Sequence, residues 1–244
     1  MSPELNRDSR ILLFAPHPDD ESLACGILLQ RAVEAGAAIG VVYMTDGENN
    51  PWPQRWLSRR WRLNAADRQR WAKLRRQEAL AALRLLGVVP ENARFLGWPD
   101  QGLARLFRSD SASVLARLRY LIHDWSPSDV IGPDRADRHT DHRAVGLALD
   151  ALFARRTSVF REVRRWSYVV HGRDVGYLRD CVTVPQSPAQ AETKRSAIGC
   201  HQTQLMLSRR RFLSYADRPE LLRLVRDGNS KSKDRNPKQT RTVE

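Results

Sequence analysis

Residues 11–47, "ILLFAPHPDDESLACGILLQRAVEAGAAIGVVYMTDG", open on a continuous apolar run, Ile11 to Pro16, the pattern of a strand buried on both faces. Leu23, Ile27 and Val33 follow at helical spacing before Gly36, and "IGVVYMTDG" at 39–47 reads as a second buried strand ending in a turn. Strand, helix and strand in this order form a βαβ unit, which forces the two strands to run parallel. Further strands are predicted at 93–97, 129–132, 164–170 and 177–184, and helices at 67–86, 110–124 and 141–155, with Gly87 ending the first of these. This alternation implies a mostly parallel sheet flanked by helices on both faces, with ligands at the carboxyl ends of the strands. The acids at 19–21, "TDGE" at 45–48, "WPD" at 98–100 and "PDRADRHTDH" at 133–142 all follow predicted strands. They are therefore expected to converge on one rim.

A chain of 244 residues, 41% apolar and 28% charged, is long enough for one α/β domain with a substantial core. That domain is expected over residues 1–226. Residues 227–244 lack apolar periodicity and are predicted to be a disordered basic tail. The 41 Lys+Arg against 28 Asp+Glu give a formal charge of +13, which favours an anionic partner. Zinc-finger spacing, an RNP-like aromatic strand and a basic zipper are all missing, so nucleic acid is disfavoured, whereas peripheral contact with an anionic membrane fits the charge. Three widely separated cysteines, Cys25, Cys181 and Cys200, argue against a disulfide framework and for a reducing compartment. With no apolar run long enough to span a bilayer and no signal-peptide pattern at the amino terminus, a cytoplasmic location is expected.

His17, Asp19, Asp20 and Glu21 sit at a strand-to-helix junction, where Asp20 as a helix cap beside dipole-complementing acids is the simplest account. That account leaves His17 unexplained. Followed by Pro18, it is held in extended backbone and projects its ring at the rim beside the carboxylates, as a metal ligand would. "RHTDHRAVG" at 138–146 places His139, Asp141 and His142 at the start of another helix, and half of the six histidines lie in these two short segments. Two imidazoles and a carboxylate with an open position make a catalytic zinc site, and the same donors suit Fe(II). A spare carboxylate leaves one acid free as a base.

"PHPDDE" at 16–21 and "HTDH" at 139–142 closely resemble the paired motifs of the LmbE-like or PIG-L deacetylases, metal-dependent enzymes that remove acetyl groups from N-acetylglucosaminyl compounds. Weaker likenesses are "TDGE" at 45–48, "RRQEALAALRLLGV" at 75–88, "FLGWPDQGL" at 95–103 and "KRSAIGCHQTQ" at 194–204, so the resemblance spans roughly residues 10–205. Thr140 stands where the family's second motif usually has proline, at a position that is not a ligand. The resemblance implies His17, Asp20 and His142 as metal ligands for Zn2+ or another divalent ion such as Fe2+. It further implies Asp19 as general base and His139, oriented by Asp141, as general acid or oxyanion stabiliser. Arg75 and Asp100 would line the sugar pocket; without the resemblance they read as a surface ion on a helix and a turn acid.

Residues 51–76 carry four tryptophans, nine Lys+Arg and a single acid, Asp67. Such an insert is either a lid covering apolar surface or an amphipathic segment for an anionic interface. Taken together, the readings predict a Rossmann-like α/β zinc-dependent N-deacetylase acting on an N-acetylglucosamine-type amino sugar, with the charge and the insert pointing to a surface glycan or lipid-linked substrate. The alternatives are a non-catalytic basic module for glycan, membrane or nucleic acid, and a metallohydrolase of a different amide.

Overall fold

In the computed structural model, which describes residues 3–154, 160, 162–172 and 180–225, the opening βαβ unit is β1 (Arg10–Ala15), α1 (Asp20–Glu34) and β2 (Ala38–Thr45). The strands are parallel and in register from Arg10 opposite Ala38 to Ala15 opposite Tyr43. The chain continues through α2 (Pro51–Ser58), α3 (Ala65–Leu85), a 3-10 turn at Pro90–Asn92, β3 (Ala93–Trp98), α4 (Leu103–Ser109), α5 (Ser111–Trp125) and β4 (Asp129–Pro133). Then come α6 (Thr140–Ala154), β5 (Arg164–Tyr168), β6 (Cys181–Thr183), α7 (Pro188–Cys200), α8 (Gln202–Leu213) and β7 (Leu221–Leu224).

The seven strands lie in the order β3-β2-β1-β4-β5-β7-β6. The first five are parallel, and β7 joins β5 and β6 in antiparallel pairs. The continuous apolar character of β1 is explained by two cores. Ile11, Leu13 and Ala15 face a cluster built with α1, α3 and α7, while Leu12 and Phe14 face one built with α4, α5 and α6. Strand order reverses at β1: the chain leaves toward β2 and β3, then returns to β4 on the other side. The crevice between the carboxyl ends of β1 and β4 is the switch point at which ligands bind in open sheets of this kind.

The segment expected to be a strand at 177–184 contains β6, which is short and antiparallel; 177–179 fall outside the described residues, as do residue 155 at the expected end of α6 and the tail at 227–244. The strand expected over 164–170 ends at Tyr168. The insert at 51–76 is helical, with α3 started by a capping box between Asn64 and Asp67. Of its tryptophans only Trp71 is buried. No helix of the described residues is long and apolar enough to cross a membrane.

Candidate active site

The loop after β1 carries the first group. Asp19 occupies the position before α1 with φ 147° and ψ −25°, a backbone conformation that residues other than glycine rarely adopt, and it makes no side-chain cap bond. Strain of this kind costs about 1–3 kcal/mol and persists where surrounding bonds over-determine it. Here the Asp19 N–H donates to Glu21 Oε2 at 2.9 Å, and Glu21 Oε1 accepts from Ser22 Oγ at 2.7 Å and lies 2.9 Å from His201 Nε2, all buried. Asp20 does not cap the helix either: its Oδ2 accepts the His17 N–H at 2.9 Å.

The second group follows β4. Gly146 lets α6 lie directly on the end of that strand, since a Cβ there would come within 2.8 Å of Arg135 N and 2.9 Å of the Pro133 carbonyl oxygen. His142, on the first turn of α6, is thereby brought to β1's loop. Its Nε2 is 3.2 Å from Asp20 Oδ2 and 3.3 Å from His17 Nδ1, and His17 Nδ1 is 3.4 Å from the same Asp20 oxygen. Three donor atoms thus mark the corners of a nearly equilateral triangle. A tetrahedral ion with ligands at about 2.0–2.1 Å needs donors spaced about 3.3 Å apart, so these residues fit a divalent metal.

The outer ring nitrogens strengthen the fit. His142 Nδ1 lies 3.2 Å from Asp137 Oδ2, and His17 Nε2 lies 3.3 Å from Asp100 Oδ1 and 3.5 Å from Asp141 Oδ2. Each histidine therefore presents one nitrogen to the shared corner and the other to carboxylate, the arrangement that fixes tautomer and orientation in metal-binding imidazoles. His139 and His171 border the same space, each forming a potential donor group with two of these residues. Asp137 and His171 were not anticipated from the sequence. Asp137 looks like a turn acid, and His171 lies beyond the end of β5, yet both follow strands whose carboxyl ends face the crevice.

Burial and charge set the protonation states. Burial pushes the Asp19 carboxyl up to about 6, with Arg75 opposing and Asp20 assisting. Burial would raise Asp20 too, but the cationic His142 and His17 hold it well below the usual carboxylate range. Two adjacent acids are thus split into one permanently ionised and one poised near neutrality, the usual sign of separate ligand and base roles. Burial would lower His142 and His17, yet their carboxylate partners outweigh it, raising His142 to about 9 and His17 well above its ordinary value. His139 is lowered by burial and by the neighbouring cationic histidines. Its Nδ1 faces the Asp141 N–H at 3.3 Å, which leaves Nε2 as the protonated nitrogen of a neutral ring.

These contacts bear on two of the expected roles. Asp141 meets His139 through its backbone, because its carboxylate accepts the Gln101 N–H at 2.7 Å and the Leu103 N–H at 3.2 Å. Arg75, far from being a surface ion, is 4% exposed. It donates to the carbonyls of Pro18 and Gly47 and to Asp19 Oδ2 at 3.1 Å, so its terminal nitrogens are already engaged. Gly47 makes this possible: with φ 63°, it leaves open the space that Arg75 Nη1 fills, only 1.6 Å from where a Cβ would stand. Asp46, one residue earlier, pairs with Arg76 through both carboxylate oxygens at 2.6 and 2.7 Å.

Above these groups lies a cavity of about 340 Å³, lined by His17, Asp19, Asp20, Arg75, Asp100 and His139 together with Asn50, Leu207 and Arg211. It falls within the size range of small-molecule sites. A larger apolar cavity of about 460 Å³ between α4, α5 and α6 holds none of these groups.

Comparison with known proteins agrees with this geometry. The family model described as PIG-L, GlcNAc-PI de-N-acetylase, matches residues 12–153, more than half of the chain, and includes both motif loops. The chain belongs to the PIG-L family. The 1D-myo-inositol 2-acetamido-2-deoxy-alpha-D-glucopyranoside deacetylase of Mycolicibacterium paratuberculosis is 33% identical over 148 residues, which are 54% of this chain and 47% of that protein. The chain therefore spans about half the length of the curated relatives it matches. The zinc-inhibited form of the teicoplanin deacetylase superposes with a TM-score of 0.69 at 19% identity, covering 91% of this chain and all of that one. The 4-carboxy-2-hydroxymuconate hydratase of Pseudomonas putida superposes with a TM-score of 0.56 at 21% identity, covering 86% and 84% respectively. At these identities the likeness to both structures is one of fold.

Proposed function

We propose that this PIG-L family chain is a divalent-metal-dependent hydrolase that removes the acetyl group from the nitrogen of an amino sugar, with zinc as the resident ion. The observation that carries the reading is the triangle of His17 Nδ1, Asp20 Oδ2 and His142 Nε2, backed by carboxylates and set beside an acid poised near pH 6. When bound, the ion supplies Lewis-acid polarisation of the acyl carbonyl and acidifies water.

The chain's own residues supply the rest. Asp19 accepts the proton of the attacking water and returns it to the amide nitrogen as the carbon–nitrogen bond breaks, releasing acetate and the free amino sugar, and its adjacency to Asp20 places base and ligand on one turn. Arg75 holds the Asp19 carboxylate in position and also lines the cavity, where it is placed to meet a sugar hydroxyl. Neutral His139 presents Nε2–H to the carbonyl oxygen as negative charge develops there, a task that a low imidazole pKa favours. Asp141 fixes that tautomer by its N–H and steadies His17 by its carboxylate. Asp100 borders the cavity beside His17, within reach of a sugar hydroxyl.

A hydratase shares the fold, so acetate release is the discriminating readout. Acetate should appear from N-acetylglucosaminyl substrates, disappear with chelator, return with zinc and be lost in Asp19→Ala. Release that is undiminished in chelator and in Asp19→Ala would overturn the mechanism.

A further inference from the structure

Helix α2 and the turn after it form an exposed edge beside the cavity mouth whose composition the catalytic reading leaves unused. Trp52, Trp56 and Trp61 are 61%, 84% and 74% exposed, and Leu57 is 58% exposed. Trp52 and Trp56 share a face, being one turn apart. Arg55 lies over both Trp52 and Trp61, at 5.2 and 5.1 Å from the ring centroids, and gathers them into one cluster. Arg59, Arg60 and Arg62 surround it, and no acid occurs from Pro51 to Asn64. Of the flanking acids, Glu48 accepts the Asp100 N–H at 3.0 Å, and Asp67 is buried and taken up by the α3 cap and by Arg60 and Arg70.

The edge continues onto α8, which packs against α2. Met206 and Leu207 are exposed there, followed by exposed Arg209, Arg210 and Arg211. Leu207 and Arg211 also form the cavity wall, so the surface runs without a break into the mouth of the site.

We propose that α2, the turn after it and the exposed side of α8 form a docking surface for an anionic lipid bilayer, which places the cavity mouth at the headgroup layer. Tryptophan rings favour the headgroup level, and arginine stems lie along apolar surface while their charged ends reach phosphate. Charge complementarity selects anionic lipid, because the edge is basic throughout and the chain carries +13. The aliphatic side chains exposed on the same edge, Leu57, Met206 and Leu207, favour a bilayer over single-stranded nucleic acid, whose bases stack on rings. Docking itself is independent of chemistry; its consequence, that the acetylated amino sugar is presented at a lipid surface, rests on the deacetylase reading.

The test is flotation of the full chain with phosphatidylcholine vesicles, with and without phosphatidylglycerol, alongside a tryptophan emission titration. Wild type should float only with the anionic vesicles, with a blue-shifted emission. Each arginine at an anionic surface contributes about fivefold in partitioning, so Arg59→Ser/Arg62→Ser should bind about 25-fold more weakly. Trp56→Ser/Trp61→Ser should lose the emission shift and most of the binding. Both variants should keep wild-type thermal unfolding and activity on a soluble acetylated amino sugar. Equal flotation of wild type and both variants, indifference to phosphatidylglycerol, or tighter binding to a single-stranded oligonucleotide than to vesicles would overturn the proposal. Anionic-vesicle binding without acetate release in any substrate would leave docking standing and sink the deacetylase reading; acetate release without vesicle binding would do the reverse.

Discussion

Replacing Asp137 by asparagine probes the support behind the proposed metal triangle without touching any of its three donors. Its Oδ1 accepts the His139 N–H at 2.8 Å, while Oδ2 accepts the Val170 and His171 N–H groups at 2.8 and 3.1 Å and faces His142 Nδ1 at 3.2 Å. Asparagine keeps one acceptor oxygen and puts an NH2 group where the other stood, so at least one donor is left facing a donor. Placing the oxygen at the Oδ2 position sacrifices the His139 bond alone. A buried donor left unpaired costs about 1–3 kcal/mol. For a chain of this size that lowers Tm by roughly 2–12 °C. The metal effect is separate: a neutral amide oxygen makes His142 a less basic ligand, and such outer-shell changes cost about 10–100-fold in affinity. That corresponds to about 1.4–2.7 kcal/mol. Competition for zinc against a chromophoric chelator, on a variant shown to be folded by near-ultraviolet circular dichroism, measures it. Unchanged zinc affinity in a folded Asp137→Asn would refute the supporting role of this carboxylate.

Asp19 must be ionised to take a proton, so kcat/KM should fall as pH drops through about 6; Asp19→Asn should lose about 10²–10⁴-fold and that acid limb with it. A wild-type profile flat across about pH 6 would contradict the assignment. Away from the site, Lys194 Nζ lies 2.7 Å from Glu220 Oε1, both fully buried, and Glu220 also accepts the Ile27 and Leu28 N–H groups at 2.7 and 3.0 Å. Lys194→Met strands that carboxylate and should cost about 3–5 kcal/mol in denaturant unfolding. A loss below about 1 kcal/mol would show that the two backbone bonds alone stabilise Glu220.

The sequence made the central features legible wherever local pattern and tertiary role coincide. Ile11–Pro16 and residues 39–47 read as strands because β1 and β2 are covered on both faces, and His17 stood out because a helix cap does not need it. Where the role is set by distant partners the pattern was silent. Arg75 has the spacing of a surface helix ion; only the loop at Gly47 and the position of Asp19 show that it is buried. Leu221–Leu224 is too short to announce a strand, and its pairing with β5 and β6 depends on residues far away in the chain. Asp137 resembles any acid in a polar turn, and its meaning comes from a histidine ring packed beside it. Helices α7 and α8 and the His201 junction between them bury Lys194, His201, Thr203 and Gln204 alongside only the apolar Ala197, Ile198 and Leu205, so periodicity gave little sign of them.

The reversal of strand order at β1 has a consequence for synthesis. Because His17 and Asp20 leave the ribosome with β1 and His142 only after β4, no amino-terminal fragment ending before α6 can complete the triangle. A truncated product would carry the conspicuous acidic motif and still lack the third corner, and the donor set would be complete only as the chain moves on to the fifth of the seven strands.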